Sequence, residues 1–145
     1  VKGGYPWLYN IGSYLAKGEY IAYQGIKGMI TKGKIQKQVE FLKNNPTYSV
    51  ILTNYKGRNL FNKKYDRNVL KAKVNKLLVQ GTKNTAANNL IKYSLNTLLL
   101  KSSVIDQTAG IRESRIGQEC LEFLYRLLIN GYNVKVLNET LYYEL

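Results

Sequence analysis

Seven of the chain's 12 glycines fall within its first 33 residues, at positions 3, 4, 12, 18, 25, 28 and 33. A glycine inside a helix costs about 1 kcal/mol relative to alanine, so this spacing interrupts any long element. Residues 1–64 therefore read as a basic, aromatic-rich N-terminal extension with a short helix and one or two strands. Tyr5, Tyr9, Tyr14, Tyr20 and Tyr23 are interleaved there with Lys17, Lys27, Lys32 and Lys34. Rings beside ammonium groups suit loop or single-stranded RNA, because bases stack on rings while phosphates meet the charge. Packing of the same rings onto a core or partner is the equal alternative. Residues 19–23 are expected to form a short strand. Ile35, Val39 and Leu42 recur at helical spacing and predict a helix over 34–44. Asn44-Asn45-Pro46 stops it, and the β-rich run Thr47 to Thr53 predicts a strand.

From residue 65 the apolar pattern turns helical, and residues 65–145 are expected to form a mainly α-helical bundle. Leu70, Val74, Leu77 and Leu78 make a stripe at i, i+4, i+7 and i+8. Asp66 is the expected N-cap and Gly81 the stop. A second helix is expected from Asn84 to Lys101, with Leu90, Ile91, Leu95 and Leu98 inward. A third is expected from Ser114 to Asn130, with Ile116, Cys120, Phe123, Leu124, Leu127 and Leu128 as its stripe. Glu122 and Arg126 then form an i,i+4 surface pair worth a few tenths of a kcal/mol. Tyr132 to Leu137 reads as a short strand, and Asn138 as the cap of a last helical turn.

Charge narrows the function. The chain of 145 residues carries 22 Lys+Arg against 9 Asp+Glu, a formal net charge of +13. Residues 1–101 hold 18 of the basic residues and three acids; residues 102–145 hold four and six. A basic body with a near-neutral end implies a polyanion on one side and protein on the other. Nucleic acid is the leading polyanion, since each neutralised phosphate releases a counterion. The absence of histidine excludes Ser-His-Asp and Cys-His machinery. The single cysteine, Cys120, excludes an internal disulfide and reads as a small buried hydrophobe. Scattered acids do not form a catalytic or metal-holding pair. The expectation is a non-enzymatic binder with no catalytic site, no cofactor, no metal, no small-molecule substrate and no membrane span. Val1 to Trp7 shows no apolar signal-peptide core.

The most informative stretch is Val74-Asn75-Lys76-Leu77-Leu78-Val79-Gln80-Gly81-Thr82-Lys83-Asn84-Thr85-Ala86. It joins a basic helix, a glycine stop, a lysine in the turn and a small residue opening the next helix. Through Asn75, Leu77, Leu78, Gly81, Lys83 and Ala86 it resembles the signature of the seventh small-subunit ribosomal protein family, over residues 65–99. That resemblance implies a structural constituent of the ribosome whose partners are ribosomal RNA and neighbouring ribosomal proteins. The resemblance implies RNA contacts at Lys73, Lys76 and Lys83, and the basic residues Lys71, Lys92, Arg58, Lys63, Lys64 and Arg67 complete the expected RNA-binding set. Abundant Lys, Asn, Tyr and Ile, all with A/T-rich codons, point to a mitochondrial version. The competing class is a basic, non-catalytic subunit of another organellar assembly, such as a respiratory complex.

Overall fold

In the computed structural model, residues 5–26, 28–56, 94–112 and 119–144 are described. They form α1 (Tyr5–Leu15), β1 (Tyr20–Ala22), β2 (Gly28–Ile30), α2 (Lys34–Asn44) and β3 (Tyr48–Lys56). A 3-10 turn (Leu95–Thr97), β4 (Leu99–Lys101), α3 (Ser102–Thr108), α4 (Glu119–Ile129) and β5 (Asn133–Glu144) follow. The five strands form one sheet in the order β1-β4-β3-β5-β2. β3 and β5 are parallel and the other pairs antiparallel. The expected mainly α-helical bundle is thus corrected to a mixed α/β fold. The sheet takes strands from both sides of residue 64.

β3 lies at the centre because it carries the run Val50-Ile51-Leu52-Thr53, buried at every position. Such a run needs cover on both faces of a strand. Val50 and Leu52 join Leu98, Leu100, Phe123, Leu124 and Leu127 in the larger core under α4. Ile51 packs with Leu42 and Leu99 under α2. The same double cover corrects the expectation of a helix running to Lys101. Leu98, Leu99 and Leu100 are all buried, and a short apolar run alone does not separate a strand from a buried helix. Here Leu99 faces the α2 layer and Leu100 the α4 layer, the alternation of a strand.

Three further expectations change. The glycine-rich start folds as α1 because Gly12 sits at an exposed helical position, with nothing within 4 Å of where a Cβ would lie. Its weak propensity is outweighed by packing of Tyr9, Asn10 and Ser13 on the inner face. Beyond Asn138 no helical turn forms, and β5 continues through Tyr142 to pair with β2. The helix at 34–44 forms as expected, but its buried face is Lys34, Gln38 and Leu42. Ile35 is left exposed. Gln38 is drawn inward by two backbone acceptors, donating to Ile51 O at 3.3 Å and Thr97 O at 3.0 Å. The expected helix over 66–81 and its turn lie outside the described residues, as does most of the second helix.

Arg126 is more than a surface pair. It meets Glu122 at 2.9 and 3.0 Å and also donates to Thr108 O and Gly110 O, each at 2.7 Å. It thereby ties α4 to the end of α3, where Ala109 and Gly110 turn the chain through positive φ. Asn10 of α1 grips the next residue, accepting from Ile111 N at 2.8 Å and donating to Ile111 O at 2.5 Å. No described helix is long and apolar enough to cross a membrane.

Candidate functional site

β1, β3 and β5 run in the same direction, so their C-terminal ends meet at one end of the sheet. In α/β folds ligands bind at such an end, outside the carboxyl ends of the strands. β1 empties there into Gln24-Gly25-Ile26, and β3 ends at Lys56. The chain re-enters at Ser94, just before β4. β5 finishes there with Tyr142, Tyr143 and Glu144, paired to Gly28–Ile30. α4 is joined to the start of β5 by a short turn at 130–132, so α4 runs back and opens at this same end with Glu119.

Neutral hydrogen-bonding groups knit the site together. Gly25 N donates to Asn96 Oδ1 at 2.7 Å. The Asn96 side chain also hydrogen-bonds the Tyr142 hydroxyl. Gln24 Nε2 donates to Gly25 O at 2.9 Å and Gly28 O at 2.8 Å, holding the loop in a tight reversal. Ile26 stands fully exposed at its tip. Gly28 has to be glycine: a Cβ there would lie 1.7 Å from the Tyr142 hydroxyl oxygen. Burial raises the Tyr142 phenol above its usual range, and Glu144 and Tyr9 add to the rise while the Asn96 bond opposes it. Burial also raises the Glu144 carboxyl. Tyr23, beneath this end, is raised by burial against the lowering bond from Ser13, at 2.9 Å.

The remaining described acids are placed elsewhere. Glu19 precedes β1 and Asp106 lies on α3, both at the opposite end. Glu122 pairs with Arg126 and Glu139 with Lys37. Glu40 accepts from Gln36 on the exposed face of α2. Glu119 and Glu144 are therefore the described carboxylates at the strand-end site. Cys120, next to Glu119, is buried, and desolvation with the Glu119 charge raises its thiol. A concavity of about 560 Å³ opens at the opposite end of β1, between α1 and α3. Asn10, Tyr14, Lys17, Ser102, Asp106 and Gly110 are among its lining.

None of the sequence-derived RNA-binding residues enters this geometry. Arg58, Lys63, Lys64, Arg67, Lys71, Lys73, Lys76, Lys83 and Lys92 all lie outside the described residues. Sequence reasoning gave no site role to Gln24, Asn96, Glu119, Tyr142 and Glu144 and read Gly25 and Gly28 chiefly as breaks in any long element.

No protein family's sequence model matches the chain, and no curated protein matches it by sequence. Solved structures do. The chain is similar to S. aureus TarS 1-349, with a TM-score of 0.67 and 15% identity over 98% of this chain and 40% of that one. It is similar to the same protein in complex with UDP, with a TM-score of 0.63 and 16% identity over 97% and 40%. For the complex with UDP-GlcNAc the TM-score is 0.61, with 15% identity over 92% and 36%. The chain thus spans about two-fifths of the length of the structures it matches.

TarS has a glycosyltransferase fold, and the likeness overturns membership of the ribosomal family. It leaves the alternative of a respiratory-complex subunit without support. It also corrects the expectations of ribosomal RNA and ribosomal-protein partners, of no small-molecule substrate and of no enzyme. The exclusions fail for a physical reason. Missing histidine rules out hydrolytic triads only, and acids far apart in sequence, Glu119 and Glu144, come to the same end of the sheet.

Proposed function

We propose that the chain is part of a glycosyltransferase that uses a nucleotide-activated sugar, with its reacting centre at the strand-end site. The observation that carries this is the likeness over nearly the whole chain to TarS, solved with UDP and UDP-GlcNAc. The local chemistry agrees with it. Gln24, Asn96 and Tyr142 offer neutral donors and acceptors of the kind that orient sugar hydroxyls. In the transfer, an acceptor hydroxyl oxygen forms a bond to the anomeric carbon. The bond from that carbon to the diphosphate oxygen breaks, and the nucleoside diphosphate leaves with the electron pair. The hydroxyl proton passes to a carboxylate, a role for which Glu119 and Glu144 are the candidates.

The test is calorimetric titration of the polypeptide, as its gene encodes it, with UDP and UDP-GlcNAc, followed by UDP-release assays. UDP is expected to bind. Glu119→Gln or Glu144→Gln is expected to keep UDP affinity and lower turnover by about 100-fold or more. A folded protein that ignores both nucleotides at millimolar concentration refutes the proposal.

A further inference from the structure

We infer that the concavity between α1 and α3 is a binding site for a neutral saccharide, separate from the strand-end site. Two helix rows face each other across it. Asn10, Ser13, Tyr14 and Lys17 follow at i, i+3, i+4 and i+7 along α1 and just past its end. Ser102, Ile105, Asp106 and Ala109 repeat that spacing along α3 and just past its end. Residues so spaced share one side of a helix, so each helix turns a single face to the opening. The volume of about 560 Å³ lies within the range of small-molecule sites, about 300–1,000 Å³.

One wall is fixed in place. The Asn10 amide accepts from Ile111 N and donates to Ile111 O, and Arg126 donates to Thr108 O and Gly110 O. A Cβ on Gly110 would lie 2.5 Å from Asn10 Oδ1, so this turn approaches α1 more closely than any other residue allows. Ala109 precedes it at φ 58, the single non-glycine residue with positive φ among the described residues. A side chain there costs about 1–2 kcal/mol, and strain of this sort gathers where ligands are held.

The groups at the opening are uncommitted. Among the described residues Lys17 and Asp106 form no ion pair, with each other or with a neighbour, and the Ser102 and Tyr14 hydroxyls make no hydrogen bond. These four groups decide the ligand's chemistry. One cation and one anion leave the lining without net charge, so neither a phosphate nor an amine is favoured. Both are exposed, and an exposed ionic contact is worth about 0–1 kcal/mol, too little to select a zwitterion. As hydrogen-bonding groups they do more. Asp106 can accept from two adjacent hydroxyls, Lys17 can donate to a ring or hydroxyl oxygen, and Ser102 can do either. Tyr14, 87% exposed, offers its ring to an apolar C–H face, and Ile105 and Ala109 add apolar surface. An uncharged ligand with hydroxyls round its edge and C–H groups on its face is a sugar ring.

Saturation-transfer NMR on the polypeptide as its gene encodes it tests this. The probes are cellobiose, maltose and N,N′-diacetylchitobiose, with glycine and phosphocholine as zwitterionic controls. At least one disaccharide is expected to take up saturation, on one face of one ring, with millimolar affinity. Tyr14→Ala is expected to lower that signal about fivefold or more, and Asp106→Asn to weaken binding about tenfold, with circular dichroism and UDP affinity unchanged. Should either variant unfold, Lys17→Ala repeats the test. No signal from any disaccharide, an undiminished signal in Tyr14→Ala, a zwitterion that displaces the disaccharide, or a parallel loss of UDP binding overturns the inference. Nothing in it draws on the sugar-transfer proposal: a protein that takes up a disaccharide here and ignores UDP refutes that proposal and leaves this site standing.

Discussion

Gly28→Ala tests the packing of the strand-end site most sharply. The new Cβ would lie 1.7 Å from the Tyr142 hydroxyl oxygen, 2.3 Å from Cζ and 2.6 Å from Cε2. Three side-chain atoms inside 3 Å mean that the whole ring has to move, and Tyr142 is only 1% exposed. Overpacking of this kind costs about 1–3 kcal/mol, and breaking the Asn96–Tyr142 bond adds about 1 kcal/mol. The expected loss is about 2–4 kcal/mol. At a urea slope near 2 kcal/mol/M this lowers the midpoint by about 1–2 M. Tyr142→Leu removes the crowding ring, so Gly28→Ala on that background is expected to cost under about 0.5 kcal/mol. The coupling then measures about 2–4 kcal/mol in a double-mutant cycle. Gly33→Ala is the control. It has φ +88 and nothing within 4 Å. Its cost, about 1 kcal/mol from the left-handed backbone, is expected to be the same in the parent protein and on the Tyr142→Leu background. If Gly28→Ala costs as much with Tyr142→Leu as without it, the steric reasoning is wrong.

Lys34 is 1% exposed, its Nζ lacks a partner among the described residues, and burial lowers its pKa to about 8. Between pH 8 and 10.5 the unfolded chain therefore binds more protons at this residue than the folded one, so its contribution makes stability rise with pH. Lys34→Met is expected to stabilise the protein by about 1–3 kcal/mol at pH 7 and to flatten that rise; urea melts at pH 7, 8 and 9 that show loss, or an unchanged slope, contradict this. Arg126→Ala frees the Thr108 and Gly110 carbonyls and strands Glu122, with an expected cost of about 2–4 kcal/mol and faster hydrogen exchange across 108–111. Under the sugar-transfer proposal, raising salt from about 50 to about 500 mM is expected to weaken UDP binding several-fold and leave uridine binding unchanged. Equal salt sensitivity for the two would place the affinity on the base.

α2 and β3 are legible from sequence because each reports a local physical rule. Asn44-Asn45-Pro46 stops a helix whatever surrounds it, and the valine-isoleucine-leucine run favours a strand. β4 is not legible, because three consecutive leucines satisfy a buried helix and a doubly covered strand alike. Only α2 and α4, placed on opposite faces, decide between them. Gly12 conceals α1 because a propensity of about 1 kcal/mol yields to the contacts of Tyr9, Asn10 and Ser13. The strand-end site is hidden for a different reason. Gln24, Asn96, Glu119, Tyr142 and Glu144 come from four separate stretches, and neutral amides and a phenol leave no mark in charge or spacing.

The net charge pointed to a polyanion, and its distribution now has a structural frame. Residues 57–93 contain nine of the 22 basic residues and a single acid, Asp66. The described chain stops at Lys56, the end of β3, and resumes at Ser94 beside Asn96, so both junctions sit at the strand-end site. A long RNA interface is one way to use such a density of cations. A nucleoside diphosphate is another: it is small, carries its charge on one end, and needs that charge neutralised where the leaving group departs. Electrostatics alone does not distinguish the two, since both reward positive charge with affinity that salt weakens. The sheet favours the second: β1, β3 and β5 end together in a rim of loop backbone, the Gln24 and Asn96 amides and the buried Tyr142 phenol, neutral groups of the kind that orient sugar hydroxyls. The sugar-transfer proposal therefore assigns the charge of residues 57–93 to a single anionic substrate, at a sheet end where three strands converge.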